Sequence, residues 1–252
     1  YPTDYSYWEK LKKFVDYEPY AAITPELRGV LASIGIIKGK PFTPTAGQKK
    51  LLVKAVETAP KMILANRMAP RADGRDLYYT DRQYVRAWAG ATAEFMQDSY
   101  LDIDVRAAFF QYAYSSAPAM VMRTIGAGSK YPVTFRDKDG DLLNGSNQYK
   151  LHLPAGIPAK AFWAVTLYNI TDGTMPEAPQ LMPSTNGYEK VTRNSDGSID
   201  LYFGRTQPKG VADKNWIQTV KGRDLMAVIR LYGADLPFFD QTWKPDDVVK
   251  IK

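Results

Sequence analysis

The sequence contains no cysteine and a single histidine, His152. Without cysteine, the chain cannot form disulfides or thiolate metal sites and has no cysteine nucleophile. A single imidazole excludes the zinc motifs that use several histidines. We therefore predict no bound metal and no cofactor, and cysteine usage does not indicate a cellular compartment.

Long apolar runs and blocks of like charge are also missing. No run reaches the roughly 18 to 20 apolar residues of a membrane-spanning helix, so we expect no membrane span. The 33 Lys and Arg residues exceed the 27 Asp and Glu residues, giving a net charge of +6, but the two signs alternate along the chain. A nucleic-acid groove needs a basic stripe, so nucleic acid is not an expected partner.

The first half of the chain carries several helix-start signals. Residues 24–26 (Thr-Pro-Glu) and residues 43–44 (Thr-Pro) each place an N-cap before a proline in the first turn. Residues 80–83 form a capping box that predicts a helix extending to Phe95. A fourth helix is predicted from Asp102 or Asp104, with a kink or break at Pro118. Residues 1–128 are therefore predicted to be helical.

The second half has the pattern of an antiparallel β domain. Short β-branched and aromatic runs alternate with the turn dipeptides Asp139-Gly140, Asp172-Gly173 and Asp196-Gly197. Segments 161–170 and 225–232 are apolar at odd and even positions alike, which is typical of central strands covered on both faces. The predicted fold class is α+β, with the helical half packed against an antiparallel β-sandwich over residues 129–252.

Six blocks in the second half have the order and spacing of a known domain. They are residues 149–154, 162–168, 194–198, 215–216, 230–233 and 243–245. These blocks resemble the domain of unknown function 1214. Residues 33–42 and 116–120 resemble the region that connects it to its usual companion, the domain of unknown function 1254.

The resemblance implies a jelly-roll-like sandwich in a bacterial protein that is usually exported, and hence a periplasmic or extracellular location. It implies no established chemistry. The chain begins at Tyr1 without methionine, so we interpret it as a fragment or a processed form whose companion domain lies upstream. That companion domain, or a second copy of this chain, is a candidate partner.

Five residues are candidate ligand-binding residues. Arg230 stands in an otherwise apolar strand, where a guanidinium must be paired, exposed at an edge, or bound to an anion in a pocket with His152 and Thr166. His152 is either a half-buried structural histidine or a ligand or proton-transfer group. Trp216, predicted to be exposed, and Tyr232 belong to an aromatic set suited to a sugar or apolar ligand, although core packing also explains such residues.

No catalytic motif is present. The sequence lacks a Gly-x-Ser-x-Gly elbow, and the alternating acids at 137–141 are followed by Leu142, where a calcium loop requires glycine. We favour an envelope-associated protein whose β domain binds a small or saccharide-like ligand or a protein partner. The alternatives are a hydrolase with a site between the helical half and the sandwich, using His152 and Arg230, and an oligomeric assembly module.

Overall fold

The structure is a computed structural model that describes residues 2–68, 74, 76–86, 88, 92–112 and 121–251. The chain separates into two compact units, Tyr1–Ile63 and Leu64–Lys252. This division falls within a helix, well before the predicted boundary between residues 128 and 129. That boundary, which follows the change of sequence pattern, stays a prediction.

The first unit contains α1 (Ser6–Tyr17), α2 (Pro25–Ser33) and most of α3 (Ala46–Met68). Its small core is formed by Val15, Ile23 and Ile36. The cap predicted for α2 is confirmed, since the Leu27 backbone N–H donates to Thr24 Oγ1 at 3.3 Å.

The start of α3 differs from the prediction by two residues. The helix begins after Thr45, not after Thr43. The Gln48 N–H donates to Thr45 Oγ1 at 3.3 Å, and the Thr45 N–H donates to Gln48 Oε1 at 2.8 Å. This reciprocal capping box satisfies two backbone donors, which a cap at Thr43 would not do.

The predicted helix at Asp102 is confirmed as α4 (Ile103–Tyr112). The Val105 N–H donates to Asp102 Oδ1 at 3.1 Å, so Asp102 is the N-cap. The break predicted at Pro118 lies outside the described residues.

The helix predicted from residues 80–83 to Phe95 is wrong. Residues 76–86 form an antiparallel turn in which Leu77 pairs with Val85, and Val85 pairs in turn with Val133. The Tyr78 N–H donates to the Tyr84 carbonyl at 2.9 Å. The backbone N–H and C=O groups that would bond within a helix are therefore bonded across the turn or to Val133. Residues 80–83, the predicted capping box, lie in the turn.

The second unit contains two β-sheets. The strands are β1 (Ser129–Lys130), β2 (Val133–Thr134), β3 (Gln148–Leu153), β4 (Ala159–Asn169), β5 (Ser184–Asn186), β6 (Ile199–Gly204), β7 (Trp216–Gln218), β8 (Leu225–Ala234) and β9 (Val249–Ile251). The first sheet has the order β1-β8-β4-β5, with β2 also paired to β8, and the second has the order β7-β6-β3-β9. A short helix, α5 (Leu236–Phe239), follows β8.

The α+β class is confirmed, with one correction to the strand directions. Strands β6 and β7 pair in parallel, so the second sheet is mixed. The predicted turns are confirmed by the positive φ angles of Gly140, Gly173 and Gly197, which are +88°, +71° and +85°.

Strands β4 and β8 are central, as their continuous apolar pattern predicted. One face of β8, including Ile229 and Leu231, packs with Leu151 and Leu201 of the second sheet in the main core. The opposite face of the first sheet is also covered, because Val228 packs with Val85, Val133, Phe135 and Ile170 in a second cluster. A strand buried on both faces needs apolar residues at every position.

Candidate functional site

The structure divides the five predicted binding residues between two faces of the sandwich. In the first sheet, β4 residues Phe162, Ala164 and Thr166 pair with Tyr232, Arg230 and Val228, so Thr166, Arg230 and Tyr232 share the face turned away from the core. His152 and Trp216 lie on the outer face of the second sheet, where they alternate with the buried Leu151 and Ile217. The predicted pocket of Arg230, His152 and Thr166 is therefore wrong, because the main core separates its members.

Arg230 is half-buried and interacts with tyrosines. Its Nη2 donates to Tyr168 Oη at 2.7 Å. The guanidinium carbon lies 5.4 Å from the Tyr168 ring centroid and 5.9 Å from that of Tyr131. Within the described residues Arg230 forms no salt bridge. A guanidinium in an apolar strand needs partners, and here they are the Tyr168 hydroxyl and the rings of Tyr168 and Tyr131.

The other two residues on this face also have local partners. Thr166 Oγ1 lies 2.9 Å from Ser184 Oγ. Burial raises the pKa of the Tyr232 hydroxyl, and the neighbouring Tyr131 raises it further. Tyr232 therefore stays protonated and neutral at ordinary pH.

His152 belongs to a cross-strand charge network. It lies opposite Asp200 in the β3–β6 register, and its Nδ1 is 2.7 Å from Asp200 Oδ1. Lys150 Nζ is 2.8 Å from the other carboxylate oxygen. Burial alone would raise the pKa of Asp200, but the hydrogen bonds from Lys150 and His152 outweigh it and lower that pKa. This arrangement fits the structural interpretation of His152.

Trp216 is half-buried and not fully exposed as predicted. Its indole Nε1 donates to the Gly204 carbonyl at 3.0 Å. The ring is therefore fixed on edge strand β7, on a different sheet from Tyr232.

A separate cavity of 340 Å³ lies in the second unit, where β1, the turn at residues 76–86 and α5 meet. Half of its described lining residues are aromatic: Tyr78, Tyr79, Trp88, Tyr131, Phe238 and Phe239. Three more are cationic: Arg86, Arg123 and Lys130. No described lining residue is Asp or Glu, so the cavity wall carries positive charge without a carboxylate of its own.

Each cation is held by a backbone carbonyl and lies near an aromatic ring. Lys130 is 8% exposed, and its Nζ donates to the Met122 carbonyl at 2.8 Å. Arg123 Nη2 donates to the Phe239 carbonyl at 3.0 Å, and Arg86 Nε donates to the Leu77 carbonyl at 2.7 Å. In the described part of the chain none of the three forms an ion pair, although hydrogen bonds lower the pKa of the Asp240 carboxyl and the nearby Arg123 helps to lower it further.

Two features of the cavity make Lys130 and Tyr79 notable. Burial lowers the pKa of the Lys130 ammonium, since removal from water disfavours the charged form. Tyr79 is 1% exposed, and its hydroxyl has no hydrogen-bond partner among the described residues. Buried polar atoms are normally paired, so this hydroxyl is an exception.

Sequence reasoning missed this cavity. Its residues come from three separated segments, around 78–88, 121–131 and 238–241. No local sequence pattern indicates that Lys130 is buried, because its burial depends on the pairing of β1 with β8 and on Phe239. Only the excess of aromatic residues gave a signal, and it did not indicate which of them meet.

Metal and membrane sites receive no support in the described part of the chain. Among those residues, no group of three or more Asp, Glu or His side chains is arranged to hold a metal ion. None of the described helices combines the length and apolar composition needed to cross a bilayer.

The fold thus defines an α+β protein with a two-sheet sandwich and a cation-lined aromatic cavity. Residues 128–236 match the family described as protein of unknown function DUF1214. This confirms the resemblance seen in the sequence blocks. Ser129, Lys130 and Tyr131 lie inside the matched range, whereas the rest of the cavity lining lies outside it.

Two solved structures are similar over part of their length. The VPA0106 protein from Vibrio parahaemolyticus is 20% identical, with a TM-score of 0.46, and the match covers 90% of this chain and 51% of that one. An uncharacterized protein from Burkholderia cenocepacia is 15% identical, with a TM-score of 0.35, covering 77% of this chain and 48% of that one. The chain thus spans about half the length of these two proteins. No curated protein matches the sequence.

Proposed function

We propose that the sandwich unit binds a small organic anion with a planar apolar body, such as an aromatic carboxylate, in the cavity beside β1. The observation that carries this proposal is the combination of three cations with aromatic walls and no carboxylate in the described lining. Ligand pockets typically combine apolar walls with a few well-placed polar groups.

The charge pattern favours an anion over a neutral sugar. Arg86, Arg123 and Lys130 are donors only, and a ligand carboxylate accepts charge-assisted hydrogen bonds from such groups. Sugar hydroxyls also need hydrogen-bond acceptors. In the described lining the main side-chain acceptors are Gln241 and the hydroxyls of Ser129 and the tyrosines. The anion therefore fits the donor set better than the saccharide-like ligand predicted from the sequence.

The size of the cavity limits the ligand. Small-molecule pockets occupy about 300 to 1,000 Å³, and 340 Å³ lies at the low end of that range. A single ring bearing a carboxylate is the size of ligand that we expect.

The hydrolase alternative loses the residues that were proposed for it. His152 and Arg230 lie on different sheets with the main core between them, so they cannot act together on one substrate. Each has a local partner, Asp200 for His152 and Tyr168 for Arg230. Ligand binding at the cavity is therefore the function that the geometry supports best.

A matched set of ligands tests the proposal. Benzoate, benzamide and benzylamine share one ring but carry a negative, zero and positive charge, and acetate supplies the carboxylate without the ring. In thermal-shift and calorimetric titrations we expect benzoate to bind more tightly than the other three. Equal stabilisation by benzylamine, or no response to benzoate at millimolar concentration, would contradict the proposal.

Two variants locate the binding site. Arg123→Gln removes one cavity cation and should weaken benzoate binding. Lys150→Gln removes a cation of the opposite sheet, where Lys150 pairs with Asp200, and should leave binding unchanged. Equal effects of the two substitutions would indicate a nonspecific response to net charge.

We also propose that the natural protein is exported to the cell envelope, as the family resemblance implies. Self-association or docking of a companion domain belongs to the same proposal. Fractionation of the native cells, with light scattering of the purified full-length protein, tests both points. Recovery of a monomer from the cytoplasm would refute them.

A further inference from the structure

Lys130 is the one buried lysine among the described residues. Lys130 lines the aromatic cavity. Its Nζ lies 2.8 Å from the Met122 carbonyl and 5.9 Å from the Phe239 ring centroid. The described lining provides no carboxylate to stabilise the ammonium form. This environment differs from that of Lys150, which pairs with Asp200 on the outer face of the second sheet.

The surroundings of Lys130 make it easier to deprotonate than an exposed lysine, so the neutral amine is reached at a lower pH. Burial penalises its charged form and lowers the pKa of the ammonium. Arg86 and Arg123 line the same cavity and add further positive charge. Lysines that are desolvated in apolar pockets or placed near other cations are the ones that become nucleophiles toward carbonyl groups.

Groups able to transfer protons line the same cavity. Ser129 Oγ and Tyr131 Oη lie 2.6 Å apart, and the two residues flank Lys130 in the chain. The Ser129 and Tyr131 hydroxyls can donate to a ligand carbonyl oxygen and can exchange protons as that oxygen leaves.

We propose that Lys130 forms a Schiff base with a 2-oxo carboxylate bound in the cavity. The inference rests on the proposed function and adds the reactive group of the ligand. The arginines hold the carboxylate, the aromatic side chains contact the apolar body, and the Lys130 amine faces the adjacent carbonyl.

The reaction is a condensation without any change of oxidation state. The Nζ lone pair adds to the carbonyl carbon, forming a C–N bond, while the carbonyl π electrons move to oxygen, which takes up a proton. Nitrogen loses one proton to give a carbinolamine, whose hydroxyl takes up a second proton and leaves as water when the C–O bond breaks and the nitrogen lone pair forms the C=N bond. The resulting iminium then loses the remaining N–H proton. The product is a C=N imine, and water reverses the reaction.

Reductive trapping tests the inference. The full chain is incubated with phenylglyoxylate and cyanoborohydride, which reduces an imine to a stable amine, and the modified lysines are located by peptide mass spectrometry. We expect one adduct, on Lys130, that forms severalfold faster than labelling of Lys150 at pH 7. Benzoate should protect Lys130 and leave the labelling of Lys150 unchanged.

The Lys130→Arg variant tests the position of the adduct, because arginine cannot form the imine and the variant should lose the adduct. Benzoate binding by the natural sequence separates this inference from the proposed function. If benzoate binds the natural sequence but Lys130 is labelled no faster than Lys150, the Schiff base is refuted and anion binding stands. If benzoate does not bind and Lys130 is not preferentially labelled, both proposals fail.

Discussion

Replacing Lys130 by methionine should stabilise the protein while weakening its affinity for organic anions. Lys130 places an ammonium in a nearly buried position without an ion-pair partner in the described part of the chain. Methionine keeps an unbranched apolar side chain of similar length and removes the charge. The substitution therefore separates the packing of Lys130 from its charge.

The magnitude follows from two opposing effects. Withdrawing an ammonium from water costs several kcal/mol, and a hydrogen bond from a charged donor returns about 1.5 to 3 kcal/mol. Met122 is exposed, so water can reach its carbonyl after Lys130 is replaced. We expect a net gain of about 1 kcal/mol in the free energy of unfolding, or about 2 to 4 °C in Tm for a domain of this size. Loss of the charged donor should weaken benzoate binding by about ten- to a hundredfold.

The stabilisation by Lys130→Met should also change with pH in a defined direction. Burial lowers the pKa of Lys130 in the folded protein from its ordinary value of 10.5, so the unfolded chain binds this proton more tightly. The penalty is complete below the folded-state pKa and disappears as the pH rises to the ordinary value. The stabilisation by Lys130→Met should therefore be larger at pH 7 than near pH 10.5.

Urea unfolding of both proteins at the two pH values, with benzoate calorimetry at pH 7, measures these effects. Lys150→Met is the matched control, because Lys150 belongs to a partly exposed ion pair with Asp200. Ion pairs near the surface contribute only about 0 to 1 kcal/mol, so its loss should be neutral or slightly destabilising. A Lys130→Met protein that is less stable at pH 7 and binds benzoate normally would refute the reasoning.

Four further substitutions test the fold of the second unit. A Cβ at Gly145 would lie 2.1 Å from the Val220 carbonyl oxygen, so Gly145→Ala should destabilise the protein by about 3 kcal/mol or more in urea unfolding. Gly210→Ala is the control: Gly210 lies in open space at φ +81°, so its substitution should cost only about 1 to 2 kcal/mol. Burial raises the pKa of Asp200, but its hydrogen bonds outweigh burial and hold the pKa below the ordinary value of 3.8. Asp200→Asn should therefore destabilise the protein by up to about 1 kcal/mol at pH 7 and by less at pH 3. Arg230→Gln should lower the Tm but leave benzoate affinity unchanged; a large loss of affinity would place the ligand on the outer face of the first sheet.

Local sequence signals predicted the elements whose hydrogen bonds are local. Thr24 and Asp102 cap helices because each side chain accepts from a backbone N–H three residues later. The capping box at 80–83 failed because Val85 bonds to Val133, a partner 48 positions away that outweighs the local preference. Strands β4 and β8 were also predictable, because a strand buried on both faces is apolar at odd and even positions alike, and this pattern is visible in the sequence.

The candidate site was predictable only in part. The sequence showed that Arg230 requires a partner, but identifying Tyr168 required the strand register. It also showed an excess of aromatic residues. It could not show that Lys130 is buried, because Met122 and Phe239 surround it only after β1 pairs with β8.

A crystal structure with 4-bromobenzoate tests the central claim most directly, because the bromine can be located by its anomalous scattering. Binding in the cavity predicts a single bromine among the aromatic walls, with the carboxylate at about 3 Å from the Nζ of Lys130 or a guanidinium nitrogen of Arg123. An empty cavity at millimolar ligand, or bromine only on the outer faces of the sandwich, would contradict it.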